Sequence, residues 1–317
     1  MWGFYEKPGN YFLYLFSASC IFLFSAFSSR RMRNALTAAH RDKIVQIFAA
    51  IARYGFDFAV NEEAAPCIEQ FTERIITPEQ RYGQSIGEVA GKAIMVCYGG
   101  DGTLLEGIHR LNGNDIAVVG INSGRLGFLA LAQSTEIDAV FEQIASDSLL
   151  IEQRAMLAVS GLLEDKEQSV YALNEVAIQR LGATMISVDV LIDSLPTLTC
   201  NGDGIIISTP TGSTAYSLSA GGPIVAPACR CLILTPLSPH NLTLRPVVAP
   251  DSSTISLAIH TRSNEASISV DNRTFAVADG EKIEVKISKR FISLAVPHNI
   301  SFYDTLRNKL MWGVDNR

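Results

Sequence analysis

The stretch Ala93-Ile94-Met95-Val96-Cys97-Tyr98-Gly99-Gly100-Asp101-Gly102-Thr103-Leu104-Leu105 decides the fold. The apolar run Ala93 to Cys97 reads as a buried strand, and Leu104, Leu105, Ile108 and Leu111 repeat at helical spacing beyond it. Gly99, Gly100 and Gly102 make a tight loop between the two. Strand, glycine loop and helix N-terminus in that order suit an anion. Without Cβ atoms the backbone N–H groups can approach it, and the helix dipole favours negative charge at that end. A carboxylate inside such a loop repels a phosphate unless the chemistry needs it. Asp101 therefore either accepts the proton of an attacking hydroxyl in phosphoryl transfer or holds Mg²⁺ between phosphates. The plain alternative is a helix cap in a glycine turn.

Outward from that loop, the flanking chain alternates between strand and helix patterns. Ile44, Ile47, Phe48 and Ile51 share one helical face that Gly55 ends, and Phe56 to Val60 reads as a strand. A further strand, Ile116 to Ile121, runs into Asn122-Ser123-Gly124-Arg125-Leu126-Gly127-Phe128-Leu129, and Ile137, Val140, Phe141 and Ile144 mark another helix. This alternation predicts a parallel sheet covered on both faces, with ligands at the carboxyl ends of its strands, where the Gly99 and Asn122 loops fall.

Beyond the last of these helices the pattern changes to short strand-like runs. They are Met156 to Leu163, Val170 to Leu173, Val176 to Ile178, Ile186 to Ile192, Gly204 to Ile207, Leu232 to Leu234, Thr254 to Ile259, Ser267 to Val270, Ile283 to Ile287 and Phe291 to Ala295. These predict an all-β domain of two packed sheets. Tyr303 to Leu310 returns to helical spacing. The expected organisation is an apolar lead over 1–35, an α/β domain over 36–150, an all-β domain over 151–295 and a C-terminal helix over 296–317 returning to the first domain.

The lead is the unusual part. Tyr11 to Phe27 carries no charge and is followed by Arg30, Arg31 and Arg33. It fits a signal anchor whose arginines keep the remainder in the cytoplasm, which is the only case in which a membrane would be a partner. It fits somewhat better an artefact of a start that belongs downstream, for example at Met32. The third reading makes Ile21-Phe22-Leu23-Phe24 a buried first strand.

The 317 residues, 48% hydrophobic and 18% charged, suffice for two domains with a core in each. A net charge of -6 excludes any global attraction for nucleic acid or anionic lipid. The scattered cysteines read as reduced core thiols, and Cys229-Arg230-Cys231 has no second pair to complete a zinc site. No G-x-x-x-x-G-K-[ST], G-x-G-x-x-G or G-x-S-x-G pattern occurs at these loops, which argues against a P-loop enzyme, a hydride-transferring Rossmann site and a serine hydrolase. His109 reads as a partly exposed helix residue.

A second long stretch runs Asp203-Gly204-Ile205-Ile206-Ile207-Ser208-Thr209-Pro210-Thr211-Gly212-Ser213-Thr214-Ala215-Tyr216-Ser217-Leu218-Ser219-Ala220-Gly221-Gly222-Pro223. Its hydroxyls can donate to phosphate, ribose or carbonyl oxygens, and Tyr216 offers a face for stacking. The alternative is a capped helix with a core tyrosine. Together with Gly99 to Leu105, Asn174-Glu175 and Tyr303-Asp304-Thr305-Leu306, this stretch resembles the NAD kinase family. The glycine loop by itself is also similar to loops of diacylglycerol and sphingosine kinases and of phosphofructokinases.

The resemblance implies a Rossmann-like α/β domain with a C-terminal β-sandwich and transfer of the ATP γ-phosphate to the 2'-hydroxyl of the adenosine ribose of NAD. It implies Asp101 as the residue that accepts the hydroxyl proton, with Gly102 against the dinucleotide and Asn174 and Glu175 on the adenosine part. Asp203 falls to the nicotinamide side, and Thr214, Ala215, Tyr216, Ser217, Leu218 and Ser219 line the NAD pocket. It further implies ATP as donor, Mg²⁺ or another divalent metal with no protein ligands assigned, a cytoplasmic enzyme, and a homodimer or homotetramer assembled through the β domain. Asn201 and Arg273 depart from the family pattern, where a basic and a neutral polar residue stand respectively. A lipid kinase of the diacylglycerol type and a non-catalytic NAD-binding sensor are the competing readings.

Overall fold

The computed structural model describes residues 21–26, 38–87, 92–124, 126–163, 169–262, 266–298 and 300–313. The first half runs β1 (Ile21–Ala26), α1 (Ala38–Tyr54), β2 (Asp57–Asn61), α2 (Ala65–Thr72), β3 (Arg81–Tyr82), β4 (Ala93–Gly99), α3 (Asp101–Arg110), β5 (Ala117–Asn122), β6 (Ala132–Gln133) and α4 (Ile137–Ala145). Strands β3, β2, β1, β4 and β5 pair in that order, all parallel. The order reverses between β1 and β4, so the glycine loop leaves the sheet at the switch point where a crevice opens.

The period-2 alternation of β4 explains why both faces are covered. Ile94, Val96 and Tyr98 pack with Ile44, Ile47, Phe48 and Ile51 of α1. Met95 and Cys97 pack on the opposite face with Leu104, Leu105 and Ile108 of α3. A strand buried on two sides cannot alternate polar with apolar, which is why its sequence is a continuous apolar run.

Ile21–Ala26 pairs with both β2 and β4, inside the sheet. A start at Met32 would leave that place unfilled. The rest of the lead, 1–20 and 27–37, lies outside the described residues. Among the described residues no helix is long and apolar enough to cross a membrane.

The second half runs β7 (Leu150–Ser160), β8 (Ser169–Ala172), β9 (Glu175–Arg180), β10 (Ile186–Ile192), β11 (Leu195–Gly202), β12 (Gly204–Ser208), the short α5 (Tyr216–Ser219), β13 (Cys231–Leu237), β14 (Val247–Pro250), β15 (Thr254–His260), β16 (Ala266–Val270), β17 (Arg273–Val277), β18 (Lys282–Val296) and α6 (Phe302–Leu310). Strands β14, β13, β12, β9, β16 and β17 form one antiparallel sheet. It packs on β10, β15 and neighbouring strands through Ile205, Ile207, Val188, Leu257 and Val285. The two runs read as separate strands at 283–287 and 291–295 are one long strand, β18, with a register shift between Ile287 and Phe291. Its far end pairs in parallel with β5 at Leu294 and Val118, so one sheet continues from the α/β half into the β half. Helix α6 then returns to the glycine loop, where Lys309 meets Asp101.

Candidate active site

Asp101 is the first residue of α3, and its carboxylate is held by the loop that follows β5. Oδ1 accepts the backbone N–H groups of Leu129 and Ala130 at 3.0 and 2.9 Å, and Oδ2 accepts that of Phe128 at 2.9 Å. A carboxylate offers about four lone-pair positions, so these bonds leave one, on Oδ2. The Lys309 ammonium lies 3.6 Å from that oxygen, with Asp101's side chain 28% exposed. Gly127 makes the contact possible, since a Cβ there would stand 2.0 Å from Oδ1.

The helix that starts at Asp101 reaches the β half with its middle turns. Glu106 Oε2 accepts from Asn272 Nδ2 at 3.3 Å, and His109 Nε2 lies 3.7 Å from Asp271 Oδ2. His109 thus sits at the junction on α3, only 13% exposed, within the partly exposed helix position expected of it. Burial and the nearby Arg273 lower its pKa to about 4, so it is neutral near pH 7. The Asp271 side chain is fully buried and accepts the N–H groups of Leu173, Asn174 and Glu175 at 2.8, 2.9 and 3.2 Å. The backbone of the Asn-Glu pair is thereby fixed beside α3.

Asn174 Oδ1 and Glu175 Oε2 are buried and have no hydrogen-bond partner among the described residues. Unpaired buried polar atoms cost free energy, so two on adjacent residues point to a ligand or water that completes them. Burial and the neighbouring Asp271 raise the Glu175 pKa to about 8, against the lowering effect of the Tyr216 N–H that it accepts. Asp271 is also pushed up by burial, but it has three backbone donors and Arg273 to favour its charge. Of the two, Glu175 is therefore the one we assign a proton near neutral pH.

The long hydroxyl-rich stretch packs directly against this pair. Thr209 N donates to Asn174 O at 2.9 Å, and a Cβ at Gly212 would stand 2.1 Å from the same oxygen. Tyr216 lies along β9: its N–H reaches Glu175 and its hydroxyl accepts from Gln179 Nε2 at 2.7 Å, with the residue 37% exposed. Not every hydroxyl faces a ligand. Ser217 is fully buried and bonds Thr235 Oγ1 at 2.9 Å, while Ser213 Oγ is engaged with both backbone groups of Val225. Thr214 Oγ1 donates to Thr211 O at 3.3 Å. Ala215, Leu218 and Ser219 follow at the surface of the same turn, half-buried or exposed.

Asp203 is not brought to the Asn-Glu pair. It bonds Arg180 Nε at 2.5 Å, at the far end of β9 from Glu175, about 17 Å away at the usual rise of a strand. That bond, with the guanidinium charge, lowers the Asp203 pKa despite slight desolvation. Gly102 is exposed, with open space where a Cβ would point.

Sequence reasoning missed Asp271, Gly127, Lys309 and Arg154. The last is buried on β7 and contacts Thr211 Oγ1 at 3.5 Å. Only Gly127 carried a signal, as the second glycine of a loop already marked for a ligand. A cavity of about 770 Å³ opens at the other end of α3, among His109, Asn112, Tyr171, Arg273 and Arg290. Asp101 is not among its lining residues, and the charge of Arg273 is offset by Asp271 and Glu106.

The chain matches family models on both halves: an ATP-NAD kinase N-terminal domain over residues 67–149 and an ATP-NAD kinase C-terminal domain over 173–295. A protein named NAD kinase from Christiangramia forsetii is 40% identical over 227 residues, 71% of this chain and 77% of that one. Another from Flavobacterium psychrophilum is 32% identical over 277 residues, 86% and 94% of the two chains. Among solved structures, yeast NADH kinase complexed with NADH superposes with a TM-score of 0.80 at 25% identity, covering 94% of this chain and 89% of that one. An NAD kinase from Archaeoglobus fulgidus in complex with ATP gives 0.67 at 22% identity, over 92% and 97%, a likeness of fold.

Proposed function

This chain belongs to the NAD kinase family, and on that premise we propose that it is an ATP-dependent enzyme that phosphorylates the 2'-hydroxyl of the adenosine ribose of NAD, giving NADP. The match spans both halves rather than the glycine loop alone, which sets it apart from the lipid-kinase reading. The observation that carries the assignment of residues is the pair of unpartnered buried atoms on Asn174 and Glu175, next to Tyr216 and on the flank of the helix that begins at Asp101.

In this reading the adenosine end of NAD completes Asn174 Oδ1 and Glu175 Oε2. Thr214 to Ser219 form the wall, with the Tyr216 ring as its flat surface. The adenosine 2'-hydroxyl then donates to the remaining lone pair of Asp101 Oδ2. Three backbone donors hold that carboxylate in one orientation, so the hydroxyl meets a fixed acceptor. As the hydroxyl oxygen attacks the γ-phosphorus, its proton passes to Asp101 and ADP departs. Asp203, tied to Arg180 at the other end of β9, serves the nicotinamide side, with a neighbouring subunit completing the pocket.

A divalent metal belongs to the proposal. Among the described residues no group of three or more His, Cys, Asp or Glu side chains is arranged to hold one. The one lone pair Asp101 has to give goes to the hydroxyl, so Mg²⁺ here would be carried by the nucleotide phosphates, whose charge it would offset. Assembly through the β domain is supported by its edge strand β14, where Val247 and Val248 are 41% and 52% exposed. A cytoplasmic location is supported by the free state of Cys67, Cys97, Cys200, Cys229 and Cys231.

The test is direct. Purified protein incubated with ATP, Mg²⁺ and NAD should form NADP, read by an NADP-specific dehydrogenase. Saturable NAD binding with no NADP over several divalent metals would replace the enzyme with a sensor. Light scattering during size exclusion would give the oligomer.

A further inference from the structure

We propose that Lys309, on the C-terminal helix α6, is a catalytic residue whose ammonium group contacts the phosphoryl group as it passes from ATP to the hydroxyl held by Asp101. The inference rests on the kinase reading above and extends it to a part of the chain far from both long motifs.

The placement is the first argument. Helix α6 is fixed at its start by Ser301, whose Oγ accepts the Asp304 N–H at 3.1 Å, and along its length by buried Thr305 and Leu306. Its last turn delivers Lys309 Nζ to 3.6 Å from Asp101 Oδ2 and 4.6 Å from the centroid of the Phe128 ring. Phe128 is also the residue whose N–H donates to that same oxygen. Cation, aromatic ring and carboxylate thus meet at the one uncommitted lone pair of Asp101. The lysine side chain stays 34% exposed.

The second argument is what such a cation is for. Ion pairs this exposed contribute little to stability, typically about 0 to 1 kcal/mol. Asp101 already has three backbone donors for its charge, so the lysine adds little to holding it. Phosphoryl transfer has a different need: charge spread over the three equatorial oxygens must be met by fixed positive groups. An ammonium has three N–H donors. When the acceptor hydroxyl takes the Oδ2 lone pair, those donors are released toward the phosphoryl oxygens a bond length or two further out.

The balance of the step is simple. A bond forms between the 2'-oxygen and the γ-phosphorus, and the bond from that phosphorus to the oxygen shared with the β-phosphate breaks. ADP carries away the electron pair, the hydroxyl proton goes to Asp101, and Lys309 keeps its protons throughout.

The experiment uses the full chain and compares Lys309→Met, which keeps the length of the side chain, with Lys309→Arg, which keeps the charge. Initial rates of NADP formation would be measured against ATP and NAD separately, beside thermal unfolding and NAD binding by calorimetry. Lys309→Met is expected to lose on the order of 10²-fold in kcat, as for removal of one donor to a developing anion. Its NAD affinity and unfolding temperature should stay at wild-type values, and Lys309→Arg should recover part of the rate. Wild-type kcat in Lys309→Met overturns the proposal. So does a loss of NAD affinity and unfolding temperature that arginine fails to repair, because Lys309 would then be a fastening for α6. No NADP from the unaltered chain overturns the kinase reading itself, and is told apart by the wild-type control.

Discussion

Asp101 and Asp271 are built alike. Each carboxylate accepts three consecutive backbone N–H groups, from residues 128–130 in the α/β half and from 173–175 in the β half. They differ in what surrounds the remaining lone pair. The Asp271 side chain is 0% exposed and faces neutral His109, whereas that of Asp101 is 28% exposed and faces Lys309. Three backbone donors can therefore serve two ends. Closed from solvent, the arrangement holds a segment of chain in place; left open on one side, it presents a base at a set position and angle.

Substitutions at the two sites should fail in different ways. Asp101→Asn keeps the shape but removes the proton acceptor, and turnover should fall about 10²- to 10⁴-fold while the protein stays folded. Near-normal turnover would remove Asp101 from the reaction. Asp271→Ala strips the acceptor from three backbone donors at Leu173, Asn174 and Glu175, the first two buried, each costing about 1 to 3 kcal/mol if left unmet. A stability loss of about 3 kcal/mol or more is expected, with NAD affinity lost alongside. Urea unfolding checks it, and a midpoint equal to that of wild type would mean that water replaces the carboxylate. Gly127→Ala sharpens the comparison from the loop side. Its Cβ would stand 2.0 Å from Asp101 Oδ1, forcing the carboxylate aside, and a displacement near 1 Å costs about 10²-fold in rate with little effect on the β half. A variant with unchanged kcat would show that the loop yields instead of Asp101.

The difference between the two aspartates also marks what the sequence could reveal. The strand, glycine loop and helix around Asp101 were legible because their signals are local: an apolar run, three glycines and a helical repeat between Ala93 and Leu111. The strands of the β half were legible where one face is buried and apolar residues alternate, as in β10 and β15. Strand β11 escaped because Leu195-Pro196-Thr197-Leu198-Thr199 is mostly exposed and includes a proline, and β17 because it alternates half-buried with exposed residues. The donors to Asp101 come from 27 to 29 positions away and those to Asp271 from 96 to 98, so neither cluster has a spacing to read. A hydroxyl's direction is equally hidden. Ser217 and Tyr216 are neighbours in the motif, yet one is spent on Thr235 and the other faces outward.

A last test asks which of Glu175 and Asp271 holds a proton near neutral pH. Burial and the Asp271 charge lift the Glu175 pKa from 4.5 to about 8 in the folded protein. A carboxyl raised on folding binds a proton that the unfolded chain has already released. Its contribution to stability is complete below about pH 4.5 and is lost as pH rises through about 8. In that window one such group lowers unfolding free energy by at most about 1.4 kcal/mol per pH unit. Glu175→Gln keeps the shape of the protonated carboxyl and cannot ionise. Urea midpoints of the two unliganded proteins should therefore agree near pH 5 and diverge by pH 8.5, with the variant falling less. The fall that remains belongs to Asp271, which burial also raises, and to other groups. Parallel curves from pH 5 to pH 8.5 would mean that Glu175 carries its charge at the buried site. The proton would then sit on Asp271, and the contrast between an open and a closed carboxylate would have to be redrawn around a neutral Asp271.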